Sequence, residues 1–234
     1  MSEFPRYALY YTPDADAALT RFGAGLLGYD AFSGHELALP GDLLAQAPDW
    51  PALSADPRKY GFHATLKAPF PLPPEQDEAA LIAAFDAFAK TPRDIPEIVP
   101  VVCAISGFTA VVPASPCTAL SVLAQACVEA FEPFRAPMSA EDRARRKPEA
   151  LTPRERDQLD RFGYPYVGDD FRFHMTLTGR LAPERAAPVL ALLQQRFAAL
   201  GLTTLRIDRI ALFRQSDAPA RFQVLRHAAL TPAD

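Results

Sequence analysis

The chain contains few cysteines, and their number and placement argue against a disulfide framework. Among 234 residues there are three, Cys103, Cys117 and Cys127, and none belongs to a C-x-x-C pair. An odd and sparse count favours a reducing compartment. All three lie in apolar stretches of sequence, where inert buried thiols are expected rather than a catalytic nucleophile.

Long apolar runs are also absent. Residues 98–128 carry no charge, but prolines and a glycine interrupt them. The longest piece between prolines, residues 101–112, is shorter than the ~20 apolar residues that a membrane span needs. The N-terminus has no basic start followed by an apolar segment, so no signal peptide is expected. We therefore expect a soluble, cytoplasmic protein with no membrane partner.

Positive and negative residues are mixed along the chain, and acidic residues surround even the basic run 143–147. The net charge is −4 and charged residues make up 22% of the sequence. This balance gives no global electrostatic footprint for nucleic acid, which argues against a long RNA or DNA partner. A few local cations would still suffice to hold a small phosphate ester. The 49% of hydrophobic residues can form one large domain or two tightly joined lobes.

Hydrophobic periodicity predicts a mixture of strands and helices. The predicted strands cover residues 6–12, 61–70, 99–112 (two strands with a turn near Gly107), 171–179, 205–215 and 221–228. The predicted helices cover residues 14–27, 75–90, 119–131 and 186–200. Residues 33–59 are rich in turn formers and receive no element.

A charged segment, residues 135–161, has no strand pattern. Ser139 followed by Asp142, and Thr152 followed by Glu155, read as helix starts, and a proline fills the first helical position of the second. We predict an inserted pair of short exposed helices.

The same order of elements follows two of the four histidines. GFHATLKAPF precedes a helix near Glu78, and FRFHMTLTGRL precedes a helix near Ala186; in both cases two strands come next. The order predicts an internal duplication, with a first repeat including about residues 61–113 and a second including about 171–228.

Each of these histidines is followed two residues later by a threonine, as His63 and Thr65 and as His174 and Thr176. Side chains of a strand alternate between its faces, so each pair shares a face with a cation, Lys67 or Arg172. The opposite faces are wholly apolar. Such strands pack on a core behind and line a cleft in front.

Two histidines on opposite sides of a phosphorus atom fit the cleavage of a P–O bond. One would deprotonate water and the other would protonate the leaving oxygen, since histidine titrates near neutral pH. The threonine hydroxyls would donate to non-bridging phosphate oxygens. Lys67 and Arg172 would add positive potential, or are ordinary solvent-facing cations.

Other side chains are candidates for substrate binding. Tyr10, Tyr60 and Tyr166 flank the predicted cleft strands and would stack on a base or ribose, or are core and rim aromatics. Arg214 ends a strand and would reach the phosphate. His35 and His227 lack a following threonine and are expected to be surface or structural residues. Asp169 and Asp170 are expected in a turn or cap, because no metal-ligand spacing accompanies them. We expect no metal and no cofactor.

The two H-x-T-L motifs resemble those of the 2H phosphoesterase superfamily, which includes cyclic nucleotide phosphodiesterases and RNA 2′–5′ ligase-like proteins. The blocks RYALYY, RKYGFHATLKAPF and FRFHMTLTGRL resemble one branch, bacterial proteins associated with phosphonate-metabolism genes. The resemblance runs over nearly the whole chain, including the charged insert.

The resemblance implies an α+β, bilobal, pseudo-two-fold, RNA ligase-like fold, with two antiparallel sheets lining a central cleft and helices outside. It implies catalysis without metal by His63 and His174, assisted by Thr65 and Thr176. The substrate would be a cyclic phosphate or small phosphodiester of a nucleotide or ribose phosphate, in phosphonate or ribose-phosphate metabolism. Two alternatives stay open, a non-catalytic nucleotide or RNA-end binding module and an RNA 2′–5′ ligase-like activity. The oligomeric state and the assignment of acid and base also stay open.

Overall fold

A computed structural model describes residues 4–233. Within them the chain forms nine strands and nine α-helices. The strands are β1 (Arg6–Tyr11), β2 (Ala64–Pro71), β3 (Glu97–Ile98), β4 (Pro100–Ile105), β5 (Phe108–Pro113), β6 (Met175–Thr176), β7 (Leu205–Arg206), β8 (Arg209–Gln215) and β9 (Gln223–Ala229). The helices are α1 (Ala18–Leu27), α2 (Gly41–Gln46), α3 (Trp50–Leu53), α4 (Ala55–Arg58), α5 (Glu78–Lys90), α6 (Thr118–Ala130), α7 (Ala140–Arg145), α8 (Pro153–Phe162) and α9 (Pro183–Ala198).

Seven strands form one antiparallel sheet in the order β4-β5-β6-β2-β1-β8-β9. The two motif strands, β2 and β6, meet in its middle at one residue pair, Ala64 with Met175. β3 and β7 form a separate two-stranded sheet, with Glu97 opposite Arg206. The expected α+β fold is confirmed, and the two expected sheets are joined edge to edge through β2 and β6.

Each motif strand lies in the half of the sheet that contains the later strands of the other repeat. β2 lies with β1, β8 and β9, whereas β6 lies with β5 and β4. β2 and β6, which pair in the middle of the sheet, each come before a long helix, α5 or α9, and β3 and β7, which pair with each other, each come after it. This reciprocal pairing is what an approximate two-fold between the halves produces.

Several predicted boundaries differ from the structure. The predicted strand 171–179 is paired only at Met175–Thr176, and the residues before it include a 3-10 turn, Gly168–Asp170. The predicted strand 205–215 is divided into β7 and β8, because Ile207 and Asp208 leave the ladder between two different sheets. Residues 33–59, left without an element, contain α2, α3 and α4. Their turn-forming residues start and stop short helices, as Pro40 does before α2.

The alternation predicted for the motif strands is confirmed in the packing. Phe62, Ala64 and Leu66 lie in the main hydrophobic core, and so do the second motif's apolar residues, Phe173, Met175 and Leu177. β1 alternates in the same way, since Tyr7, Leu9 and Tyr11 face that core while Ala8 and Tyr10 join a smaller cluster on the other face. The sheet therefore has one face for the core and one face free to form a site.

The two helices of the charged insert begin where the sequence predicts. Ser139 caps α7 by accepting from the backbone N–H of Asp142. Thr152 and Glu155 form a reciprocal capping box at the start of α8. Such caps contribute about 1 kcal/mol each, so the insert is held by local interactions as well as packing.

Candidate active site

His63 precedes β2 and sits against Tyr10 of β1. The two rings stack with centroids 3.8 Å apart and planes 24° from parallel. The Nδ1 atom of His63 lies 2.9 Å from the carbonyl oxygen of Gly61. A carbonyl only accepts, so Nδ1 carries the proton and Nε2 is the nitrogen free to gain or lose one. The Oγ1 atom of Thr65 lies 3.4 Å from that Nε2.

His174 is held in the same manner before β6. Its Nδ1 atom lies 2.7 Å from the carbonyl oxygen of Arg172, two residues earlier, as Gly61 is two residues before His63. The ring of Phe108 lies 5.5 Å away. Both histidines therefore present Nε2 away from the backbone.

The register of β2 and β6 brings the four motif side chains together. Ala64 pairs with Met175. Continued one residue each way, this antiparallel register sets His63 opposite Thr176 and Thr65 opposite His174, on the same face of the sheet. Each histidine thus has a threonine on its own strand and one across from it. The histidines are diagonal neighbours, for which backbone separations are roughly 7–8 Å, enough for a phosphate group between the side chains.

A cavity of about 390 Å³ opens beside this constellation. Thr65 and His174 line it, together with α6 and the residues between α8 and β6. Cavities of this size hold small ligands rather than polymers. Phe108, Tyr164, Tyr166 and Phe171 supply aromatic walls, and Arg172 and Arg180 supply cations.

Burial lowers the pKa of both histidines. It lowers that of His63 to about 4, with a smaller contribution from His174 and opposition from the Gly61 carbonyl. The pKa of His174 is lowered too, again chiefly by burial and against the bond to Arg172. The interaction between them means that their protons are linked. In the free protein at pH 7 both rings are neutral.

Tyr10 and Tyr60 surround His63 as part of an aromatic cluster. Tyr10 is 1% exposed, and burial raises its pKa well above the usual value. The ring of Tyr60 lies 6.1 Å from His63 and stacks on Phe222 at 5.3 Å. Tyr10 thus serves as a platform under His63, and its ring is too buried to stack on a substrate base. Tyr60 remains partly exposed beside it.

Lys67 lies on the cavity wall, but its ammonium is already engaged. The side chain is 3% exposed, Nζ is 2.7 Å from Oε2 of Glu132, and it also donates to the carbonyl of Val128. The expectation that Lys67 is a free cation in the cleft is wrong, because α6 and the turn after it close over the amine.

Arg172 and Tyr166 both border the cavity. Arg172 is exposed and donates through Nη1 to the carbonyls of Asp169 and Phe171, which leaves the rest of the guanidinium available. Tyr166 is 45% exposed and meets Tyr164 edge-on at 5.4 Å. Their assignment to substrate binding stays a prediction.

Arg214 does not lie in the site. Arg214 is opposite Tyr7 in the pairing of β1 with β8. Its side chain therefore lies on the other face of the sheet from Tyr10. Its Nε atom is 3.3 Å from Oε2 of Glu78 at the start of α5. The next residue, Gln215, lies on the same face as Tyr10 and accepts a hydrogen bond from Arg6.

The remaining polar residues have structural roles. His35 is exposed, whereas His227 contacts the Thr12 carbonyl at 3.1 Å, as expected of surface and structural histidines. Asp169 and Asp170 pair with Arg154. Among residues 4–233 no three His, Cys, Asp or Glu side chains are grouped to hold a metal ion. In the same part of the chain no helix is long and apolar enough to cross a membrane.

The cysteines only partly match expectation. Cys127 is fully buried, and burial raises its pKa to about 12, so its thiol is inert at neutral pH. Cys103 and Cys117 are partly exposed, because they lie at the edge of the sheet and at the start of α6.

Sequence reasoning missed two arginines near the tyrosines, Arg6 and Arg146. Arg6 shares the cleft face of β1 with Tyr10, which the alternation of RYALYY already indicates. Arg146 directly follows α7 in the insert, where its guanidinium lies 5.6 Å from the ring of Tyr164. No local pattern in the sequence predicts that approach.

Comparison with known proteins identifies a family. Residues 65–223, well over half of the chain, match the family model described as "Protein of unknown function (DUF1045)". The chain belongs to the DUF1045 family. The matched segment of this DUF1045 member runs from Thr65 through the second motif and includes the charged insert.

Two curated relatives carry the name "Ribose 1,5-bisphosphate phosphokinase PhnN". The protein from Janthinobacterium sp. (strain Marseille) is 34% identical over 227 residues, which are 93% of this chain and 49% of the relative. The protein from Laribacter hongkongensis (strain HLHK9) is 31% identical over 221 residues, 94% of this chain and 51% of the relative. This DUF1045 member thus spans about half the length of the curated relatives it matches.

Solved structures with distant similarity were also found. A "Crystal structure of phosphoesterase" is 13% identical with a TM-score of 0.44, covering 98% of this chain and 99% of that one. Escherichia coli LigT complexed with ATP is 12% identical with a TM-score of 0.43, covering 97% and 99%.

Proposed function

We propose that this protein is a phosphoesterase that hydrolyses a cyclic phosphate or small phosphodiester with His63 and His174 as general base and general acid. The observation that carries the proposal is the paired placement of two His-x-Thr motifs on adjacent strands of one sheet face. Both rings present Nε2, and a cavity of about 390 Å³ is lined by His174 and by Thr65, whose hydroxyl lies beside His63.

The reaction requires one neutral and one protonated histidine ring. A neutral Nε2 takes a proton from water as the oxygen attacks phosphorus, and the protonated ring gives its proton to the leaving oxygen. The threonine hydroxyls donate to the non-bridging oxygens, whose charge grows in the transition state. No step requires a metal ion.

The environments of the histidines favour an assignment of roles. The pKa of His63 falls to about 4, and its burial against Tyr10 keeps the ring neutral. A ring that stays neutral suits the base. His174 borders the open cavity and suits the acid, which takes up its proton when an anionic substrate binds.

The names of the curated relatives bear on the substrate class. Their name gives ribose 1,5-bisphosphate as what they phosphorylate, and the chain aligns with about half of each. None of the eleven glycines here precedes a lysine, so this chain has no phosphate-binding G-K-[ST] loop. We do not carry the kinase activity to it. A ribose 1,2-cyclic phosphate that also bears a 5-phosphate would give ribose 1,5-bisphosphate on hydrolysis, and we propose this class of substrate.

The test is turnover of a substrate panel with chelator present and no added metal. The panel contains 2′,3′-cyclic nucleotides, a ribose 1,2-cyclic phosphate and an aryl phosphodiester. We expect chelator-resistant hydrolysis of at least one cyclic phosphate. Tight binding without product from any member would instead favour a nucleotide-binding module.

The ligase-like alternative is tested with the same preparation. Incubation with RNA fragments bearing a 2′,3′-cyclic phosphate and a 5′-hydroxyl would yield a joined product if ligation is the activity. We expect hydrolysed ends and no joined product, because the histidine cavity fits a small ester.

A further inference from the structure

The cleft face of the sheet has a second cavity, about 240 Å³ in volume, at the end of β1 away from His63. Its lining includes four arginines and one carboxylate, Arg6, Arg135, Arg145, Arg146 and Asp142. Such a concentration of positive charge contrasts with the net charge of −4 for the whole chain.

Arg6 is a partly buried cation without a carboxylate partner among residues 4–233. Its guanidinium donates to Oε1 of Gln215, a neutral acceptor, with Nε at 3.0 Å. The rings of Phe4 and Phe222 lie 5.1 and 5.6 Å from its central carbon. Burial lowers the pKa of Arg6, and Arg146 adds to that effect. An unpaired cation costs free energy in such a place unless an anion joins it.

Arg146 faces Arg6 from the charged insert. It directly follows α7 and forms no ion pair within the described part of the chain, whereas Arg135 is paired with Glu132. Asp142, the carboxylate of the same cavity, pairs with Arg145. Two cations that share a cavity, neither of them in an ion pair with a carboxylate among residues 4–233, are typical of a site for an external anion. Arginine is well suited to phosphate because its planar fork donates to two oxygens at once.

Arg6 lies on the same strand as Tyr10, the residue that stacks under His63. Arg6 and Tyr10 share one face of β1 four residues apart, so their Cα atoms are roughly 13 Å apart along the strand. Tyr10 stacks under His63, and Tyr60 stands between on Phe222. With the reach of an arginine side chain, this spacing matches a small sugar that carries one phosphate at the histidines and another at its far end.

We propose that Arg6 and Arg146 form a subsite for a phosphomonoester at the far end of the substrate, such as the 5-phosphate of a ribose. This inference rests on the proposed function, because it names the second anionic group of the same substrate. It also gives the charged insert a role, since α7 carries one of the two arginines to the cleft.

The first measurement is calorimetric binding of ribose 5-phosphate, with ribose as the matched ligand lacking the anion. We expect ribose 5-phosphate but not ribose to bind the wild type and His63→Ala. Arg6→Gln and Arg146→Gln are each expected to weaken binding at least tenfold. Lys147→Gln, which removes one charge from the same loop outside the cavity, is expected to change it less than twofold. Circular dichroism checks the fold, and Arg6→Lys replaces Arg6→Gln if the latter unfolds.

The second measurement is kcat/KM for ribose 1,2-cyclic phosphate with and without a 5-phosphate. We expect the wild type to prefer the phosphorylated form at least tenfold and both arginine variants to lose this preference. No binding of ribose 5-phosphate, or equal loss for both substrates, would overturn the subsite. Binding that depends on the arginines without turnover would instead overturn the proposed reaction and leave the subsite standing.

Discussion

At the scale of single residues, the site depends on how the two histidine rings are fixed. Each Nδ1 donates to a carbonyl two residues earlier, Gly61 for His63 and Arg172 for His174. This repeated bond sets the tautomer and leaves the same nitrogen of each ring to exchange protons. The difference between the rings comes from their surroundings, since His63 lies on Tyr10 and His174 borders the cavity.

The lowered pKa values predict the pH dependence of catalysis. The active form has one neutral and one protonated histidine, so kcat/KM is greatest between the two pKa values of the free enzyme. Both lie below the ordinary 6.5. We expect kcat/KM for a cyclic phosphate to rise as pH is lowered from 8 towards 6, with its maximum below 6.5. A maximum at pH 8 would contradict the stated environments.

The same shift predicts a pH dependence of folding stability. His63 has a folded-state pKa of about 4 against about 6.5 unfolded, so between these values the unfolded chain binds more protons. The free energy of unfolding therefore falls as pH drops from 6.5 to 4, by up to ~3 kcal/mol from this residue. Urea unfolding at pH 7 and pH 5 should show a larger loss for the wild type than for His63→Gln. Equal losses would show that His63 is not desolvated.

At the scale of elements, α1 holds the first motif strand through a close approach at Gly23. A Cβ atom there would overlap the ring of Phe62, which precedes His63. Gly25 of the same helix has nothing within 4 Å of such an atom. The two glycines thus form a matched pair for testing that contact.

We predict opposite effects for the two alanine substitutions. Gly23→Ala overpacks the core, should cost about 1–3 kcal/mol of unfolding free energy, and should lower kcat by displacing His63. Gly25→Ala should stabilise by up to ~1 kcal/mol, since glycine is unfavourable within a helix, and leave kcat unchanged. Denaturant unfolding and steady-state kinetics measure both. Equal effects of the two changes would contradict the packing described for α1.

The ion pair of Lys67 and Glu132 links β2 to the turn after α6. Glu132 also pairs with Arg135, so it keeps a partner when Lys67 is removed. When Glu132 is removed, the buried ammonium of Lys67 keeps only its bond to the carbonyl of Val128. We predict that Glu132→Ala costs about 2–3 kcal/mol and that Lys67→Met costs less than half of that. Thermal or urea unfolding measures this, with the exposed Glu129→Ala as control. A larger loss of unfolding free energy in Lys67→Met than in Glu132→Ala would contradict this prediction.

At the scale of the whole molecule, the sequence predicted the order of elements but not how they pair. Alternation in GFHATLKAPF and FRFHMTLTGRL was enough to place both histidines on one face, because local pattern sets the phase of a strand. The exchange of β2 and β6 between the two halves is decided by long-range pairing, which no local pattern specifies. Arg214 was wrongly assigned to the site, because neighbouring residues of a strand lie on opposite faces of the sheet. Arg146 was missed because only the folded insert brings it to Tyr164.

The distribution of charge predicts which ligands the molecule binds. The net charge is −4, but Arg172 and Arg180 line one small cavity and Arg6 and Arg146 line another. We expect weak binding of a 20-nucleotide single-stranded RNA at 0.15 M salt, with a salt slope of about 1 or less, since each neutralised phosphate of a single strand contributes ~0.7 to the slope. Fluorescence anisotropy across a salt series measures both. Tight RNA binding with a salt slope of 4 or more would favour an RNA-end binding module or an RNA 2′–5′ ligase-like activity.

The two-histidine mechanism is tested by measuring kcat/KM for a cyclic phosphate in the presence of chelator, for the wild type, His63→Ala and His174→Ala. The surface variant His35→Ala is the control, and circular dichroism verifies the fold of each. We predict that either motif variant loses at least 10²-fold in kcat/KM, since general acid–base catalysis contributes about 10²–10⁴, and that His35→Ala matches the wild type. Full activity in a folded His63→Ala or His174→Ala variant would contradict the two-histidine mechanism.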